Sequence, residues 1–110
     1  VEHVLRAFRE LDLPAAGIPA SVPVHVTENG WPTGPARPAE RQAAVLETVV
    51  RTVHEHRERL HLTAYEWFAL RDADTAQPDV HHQFGLLRDD YEPKPAFETY
   101  RRLVAELSSG

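Results

Sequence analysis

Glu28 ends an alternating β-branched run and stands directly before Asn29-Gly30, within the stretch VHVTENGWPTG at residues 24–34. A carboxylate in that place can attack an electrophilic carbon, carry a proton, or simply face water. Trp31 and Trp67 each add a flat apolar ring. Arg71, four residues past Trp67, is a cation able to hold a neighbouring carboxylate ionised. Glu66, between Tyr65 and Trp67, belongs to the opposite face by strand alternation and reads as a structural carboxylate held by an arginine or by backbone donors.

Metal chemistry is a weaker reading of the same chain. His54, Glu55, His56 and Glu58 share a helical stretch, but the histidines are two apart and diverge by about 200° at 3.6 residues per turn, so they do not form a zinc pair. Asp72, Asp74, Asp79, His81 and His82 crowd one loop with a spacing that fits no standard calcium loop. A solvated loop with aspartate turns accounts for them, and His82 or Gln83 reaches substrate only if that loop meets a site rim.

The elements that must position these residues follow from periodicity. Val1, Val4, Leu5, Phe8 and Leu11 repeat at helical spacing until Pro14 and Gly17. Val22, Val24 and Val26 alternate as a strand that Asn29-Gly30 breaks. A Pro- and Gly-rich loop leads to a helix over 39–59 with Val45, Leu46, Val49, Val50 and Val53 on its stripe. The apolar run of 62–70 predicts a second strand, buried on both faces and ending near Trp67. A polar loop over 71–92 precedes a last helix that opens at Pro95. Strands alternating with amphipathic helices indicate parallel β/α units, in a doubly wound sheet or a (β/α)8 barrel, and both gather chemistry at the C-terminal strand ends.

Composition narrows the partners. The 110 residues allow one modest core, and 17 acidic against 12 basic side chains give a net charge of −5, which argues against nucleic acid. No stretch has the length of a membrane span. The absence of cysteine removes disulfides and thiolate metal sites and leaves the compartment, cytoplasmic or secreted, undetermined. The chain has no methionine and opens inside a helical pattern, which reads as a piece of a longer protein.

Three stretches carry a family resemblance. VTENG at 26–30 resembles the nucleophile motif at the end of the seventh strand of clan A glycoside hydrolases, the (β/α)8 group of retaining enzymes that includes β-glucosidases and cellulases. LTAYEWFALRDADT at 62–75 is similar to the eighth strand of that clan, and HHQFGLLRDDYEPKPAFETYRRLV at 81–104 to its closing segment. The resemblance implies that residues 1–110 are a C-terminal fragment of a single (β/α)8 catalytic domain, the last quarter of the barrel, with two parallel strands and three flanking helices. It implies hydrolysis of β-glycosidic bonds with retention, Glu28 as nucleophile, and Trp67 as the floor of the subsite beside the scissile bond. Trp31, Asn29 and Arg71 join as substrate-binding residues, the strand valines fill the barrel interior, and a non-proline cis peptide follows Trp67. No cofactor is needed.

The resemblance also implies a carbohydrate partner, and either the missing N-terminal part of the barrel or self-association to cover the sheet edges. Retention uses two carboxyl groups about 5–5.5 Å apart, and the clan's acid/base lies on an earlier strand, so the isolated fragment is expected to be inactive. The alternative reading is a non-catalytic carbohydrate-binding or assembly fragment of a barrel.

Overall fold

Two parallel strands with helices on one side make up the computed structural model, which describes residues 1–108. β1 (Val24–Asn29) and β2 (Leu62–Trp67) form the sheet. Parallel neighbours need a long crossover, which α3 (Ala39–His56) provides. α4 (Pro95–Ser108) follows the long polar loop, which contains a short 3-10 helix (Val80–His82). The N-terminal helix begins as α1 (Glu2–Ala7), passes through a π-helical stretch (Phe8–Asp12) and ends as α2 (Leu13–Ala15). This is the C-terminal quarter of a (β/α)8 barrel: two parallel strands and three helical rods.

β2 has the bounds that its apolar run indicated. β1 is displaced: it begins at Val24, after Pro23, which has no N–H to give to a ladder, and runs on to Asn29, so Glu28 lies within the strand. Pro14 is inside the last helical turn rather than beyond it, where the missing N–H costs least, and Gly17 at φ +76° closes the segment.

The core lies between the sheet and the helices. Leu46, Trp67, Leu86, Ala96 and Leu103 form one cluster, and Val49, Val53, Leu60 and Leu62 form a second, bridged by Tyr65. Val24 packs on the second cluster, so the β1 valines face the helices and not the barrel interior. The other sheet face is open: His25, Thr27, Thr63, Glu66 and Phe68 are all exposed. β2 is therefore buried on one face only, because no helix covers the interior side as it would in a doubly wound sheet.

The first helix docks through a buried cation as well as through Leu5, which packs on the second cluster. Arg9 is buried and donates from Nε to the Leu60 carbonyl at 2.9 Å and from Nη2 to the Val22 carbonyl at 2.7 Å. The π-helical stretch breaks the 3.6-residue phase, and Val4, Phe8 and Leu11 remain exposed. Two apolar grooves are also open, one of about 290 Å³ between β2, α3 and α4 and one of about 320 Å³ between α1, β1 and α3. No described helix is long and apolar enough to cross a membrane.

Leu103 is fully buried where α4 meets α3 and the sheet. Leu103→Ala in the intact protein should cost about 2–5 kcal/mol, read from the midpoint of urea unfolding. Arg101→Ala, at a side chain 70 % exposed on the same helix, should stay within about 0.5 kcal/mol.

Candidate active site at the strand ends

The site begins with a change of step between the strands. Val26 pairs with Tyr65 and Asn29 with Trp67, so three residues of β1 advance against two of β2. Unbroken alternation would set Val24, Val26 and Glu28 on the helix side together. The extra residue brings Asn29 to that side, where its Oδ1 accepts a 2.9 Å hydrogen bond from the Tyr65 hydroxyl, and Glu28 lines the groove between α1, β1 and α3 beside it. Burial pushes the Tyr65 phenol well above its ordinary pKa, with Tyr100 adding to the effect, so it stays protonated and able to donate. Thr27 and Glu28 are both exposed, and among the described residues the Glu28 carboxylate has no hydrogen-bond or ion-pair partner.

Phe68 flanks the Asn29–Trp67 pair from the other strand, donating its backbone N–H to the Asn29 carbonyl at 2.9 Å. Its ring is 45 % exposed and meets the Phe84 ring at 5.6 Å between centroids, tilted by 59°. Gly30 fits beneath this pair because it lacks a side chain: a Cβ there would run into the Phe68 carbonyl oxygen and lie 3.2 Å from the Phe84 ring. Trp31 is 37 % exposed on the loop that follows, its carbonyl held at 2.9 Å by Gln42 Nε2.

Trp67 is placed differently from its expected role. It is 9 % exposed and packed in the cluster of Leu46, Leu86, Ala96 and Leu103. Strand alternation sends it to the helix side and leaves the rim to Phe68. The non-proline cis peptide is Phe68–Ala69, one bond beyond the expected Trp67–Phe68. Glu66 is exposed rather than held by an arginine or by backbone donors, and its charge adds to the burial that raises the Tyr100 pKa.

Arg71 does not serve Glu28. Its guanidinium donates to the Asp89 carbonyl at 3.3 Å and lies 5.0 Å over the Tyr91 ring. The aspartates of the same loop are spent on local structure: Asp74 accepts from Ala76 N, Asp79 from His81 N, and Asp89 from Thr75 N. Among the described residues no three His, Cys, Asp or Glu side chains are grouped to hold a metal.

Spacing gave no hint of a buried ion pair behind the rim. Lys94 Nζ donates to Asp72 Oδ1 at 2.7 Å, to Thr33 Oγ1 at 2.9 Å and to the Gln83 carbonyl at 3.4 Å. Both charged side chains are at most 1 % exposed. Burial lowers the Lys94 pKa, and the bond and charge of Asp72 oppose that shift.

Comparison with solved structures finds this fold within glycoside hydrolases. The chain is similar to a family 39 glycoside hydrolase from Bacteroides cellulosilyticus, with 26 % identity and a TM-score of 0.63 over 89 % of this chain and 19 % of that one. It is similar to the GH5_18 protein of Streptomyces cattleya, solved with GlcNAc, with 24 % identity and a TM-score of 0.72 over 98 % of this chain and 26 % of that one. The β-glucuronidase of Faecalibacterium prausnitzii matches with 24 % identity and a TM-score of 0.65 over 96 % of this chain and 18 % of that one. The chain thus spans only 18–26 % of the length of these three proteins. No protein-family model matches the sequence, and no curated protein matches it.

Gly30→Ala tests the packing beneath the aromatic pair. The new methyl must displace backbone at Phe68, so the intact protein should lose about 1–3 kcal/mol in chemical denaturation, the usual cost of overpacking. A neutral outcome would mean that the strand end yields freely.

Proposed function

From the premise that the chain has the fold of the closing quarter of a glycoside hydrolase barrel, we propose that it supplies the nucleophile of a retaining β-glycosidase. Glu28 is that nucleophile. One of its oxygens attacks the anomeric carbon as the bond to the leaving oxygen breaks, giving a glycosyl ester, and water then hydrolyses the ester and regenerates the carboxylate. The leaving oxygen takes its proton from a second carboxyl group, which then removes a proton from the incoming water. That second group comes from outside these residues, so the chain by itself does not complete the reaction.

The observation that carries the reading is the two-for-three step between β2 and β1. It supports an exposed Glu28 beside an exposed aromatic ring, at the strand ends where barrel enzymes gather their chemistry. Phe68, with Phe84 behind it, is the apolar surface proposed for the sugar ring, in place of the buried Trp67. Trp31 extends the surface along the rim. The side chain of Asn29, tied to Tyr65, fixes the backbone beside the carboxylate. Arg71, held over Tyr91, is the proposed outer boundary of the substrate rim. The structural neighbours are named for different sugars, so the substrate is proposed only as a β-glycoside.

Glu28→Gln should lower kcat of the intact protein on an activated aryl β-glycoside by several orders of magnitude, with the unfolding midpoint unchanged, because an amide does not form the ester. A 2-fluoro glycoside should attach to the peptide that contains Glu28, as seen by mass spectrometry. Normal turnover by the variant would rule out Glu28 as the nucleophile.

A further inference from the structure

We propose that the buried Asp72–Lys94 pair, together with Gln42, positions Phe84, and through it Phe68, beside Glu28. This rests on the reading of Glu28 and Phe68 given above. Phe84 is clamped on both sides by the network: the Gln83 carbonyl accepts from Lys94, and the Gly85 N–H donates to Asp72 Oδ1 at 2.8 Å. The Gly85 carbonyl accepts from Gln42 Nε2 at 3.0 Å, the same nitrogen that holds the Trp31 carbonyl. The carbonyl of Phe84 itself accepts from Ala69 N at 3.0 Å. A Cβ on Gly85 would collide with the Asp72 amide, so this residue fits only without a side chain.

The network joins three parts of the chain that are distant in sequence. Thr33 lies on the loop after β1, Asp72 and Gln83 on the loop after β2, and Lys94 at the entrance to α4. Every proton of the ammonium has an acceptor, and Asp72 Oδ2 also accepts from Thr75 Oγ1 at 3.0 Å. A buried ion pair is a poor device for stability alone, since well-packed apolar residues of similar volume commonly do as well or better. What apolar residues lack is direction. The charged and amide groups fix the backbone on either side of one ring, and that ring touches both Phe68 and the turn that follows Glu28.

The test replaces the pair by apolar residues in the intact protein, Lys94→Met with Asp72→Leu, and separately makes Gln42→Met. Both variants should melt cooperatively, and KM for an activated aryl β-glycoside should rise about tenfold, with a smaller change in kcat because Glu28 is untouched. A folded variant that keeps the parent KM overturns the inference, since a merely structural network would move stability and leave KM alone. Thr33→Val keeps the charges paired and deletes one acceptor of Lys94. It should raise KM about threefold, the worth of one hydrogen bond, and it decides the matter if the other two do not fold. A parent protein that cleaves no β-glycoside would overturn the functional reading instead. Crystal structures of the variants would then judge the positioning role, and an unmoved Phe84 ring would refute it.

Discussion

The pairing of Asn29 with Trp67 is the constraint on which the site depends. Between the pairs Val26–Tyr65 and Asn29–Trp67, β1 advances three residues against two of β2, and Glu28 stays exposed at the edge of the groove that Val49, Val53 and Tyr65 line, where full burial of an unpartnered carboxylate would be costly. Asn29 is the half-buried residue there, and a tyrosine hydroxyl meets its oxygen. An amide with one good hydrogen bond is a far cheaper occupant of a half-buried position than a charge. Irregular steps of this kind bend a strand end and re-aim side chains, and here the step falls on the residue whose type carries chemistry.

Behind that step lie two layers of different character. Toward the base of the strands the packing is apolar apart from the Arg9 guanidinium: Val49, Val53, Leu60 and Leu62 are buried together, and the helices meet the sheet mostly through aliphatic side chains. Toward the C-terminal ends the buried groups are polar: Gln42, Asp72, Gln83, Thr33 and Lys94. Aliphatic packing tolerates repacking, whereas a hydrogen-bonded polar cluster, here complete but for Gln42 Oε1, admits few arrangements and so fixes loop backbone. The division follows the use of each end. The base has only to hold the strands to the helices, while the other end must hold two long loops that have little regular structure of their own.

Legibility in the sequence divides along the same line. The apolar run from Leu62 to Trp67 gave β2 its bounds, and the stripe of Leu46, Val49 and Val53 gave α3 its buried face, because burial against one neighbour imposes a period that survives in the residue types. The start of β1 was read two residues early because Val22 continues the alternation although Pro23 cannot join the ladder. Trp67 was assigned to the rim because residue type says nothing about which face of a strand is covered. An expectation of burial on both faces left Trp67 and Phe68 indistinguishable. Lys94, between two prolines, looked like any solvated lysine, and its burial depends on Asp72, 22 residues earlier, through a contact that no local pattern records. The π-helical stretch was equally invisible, and it cost the first helix its apolar phase.

The proposed chemistry sets a further condition on Glu28. Glu28 has no cation against it among the described residues, since Arg71 is held over Tyr91. A sugar seated on Phe68 would exclude water and raise the cost of the charge, which hydrogen-bond donors must then offset. The loops after β1 and β2 offer few, because their polar groups are bonded to one another behind the aromatic pair. In the proposed enzyme the groups that offset the charge of Glu28, like the second carboxyl group, therefore come from outside these residues.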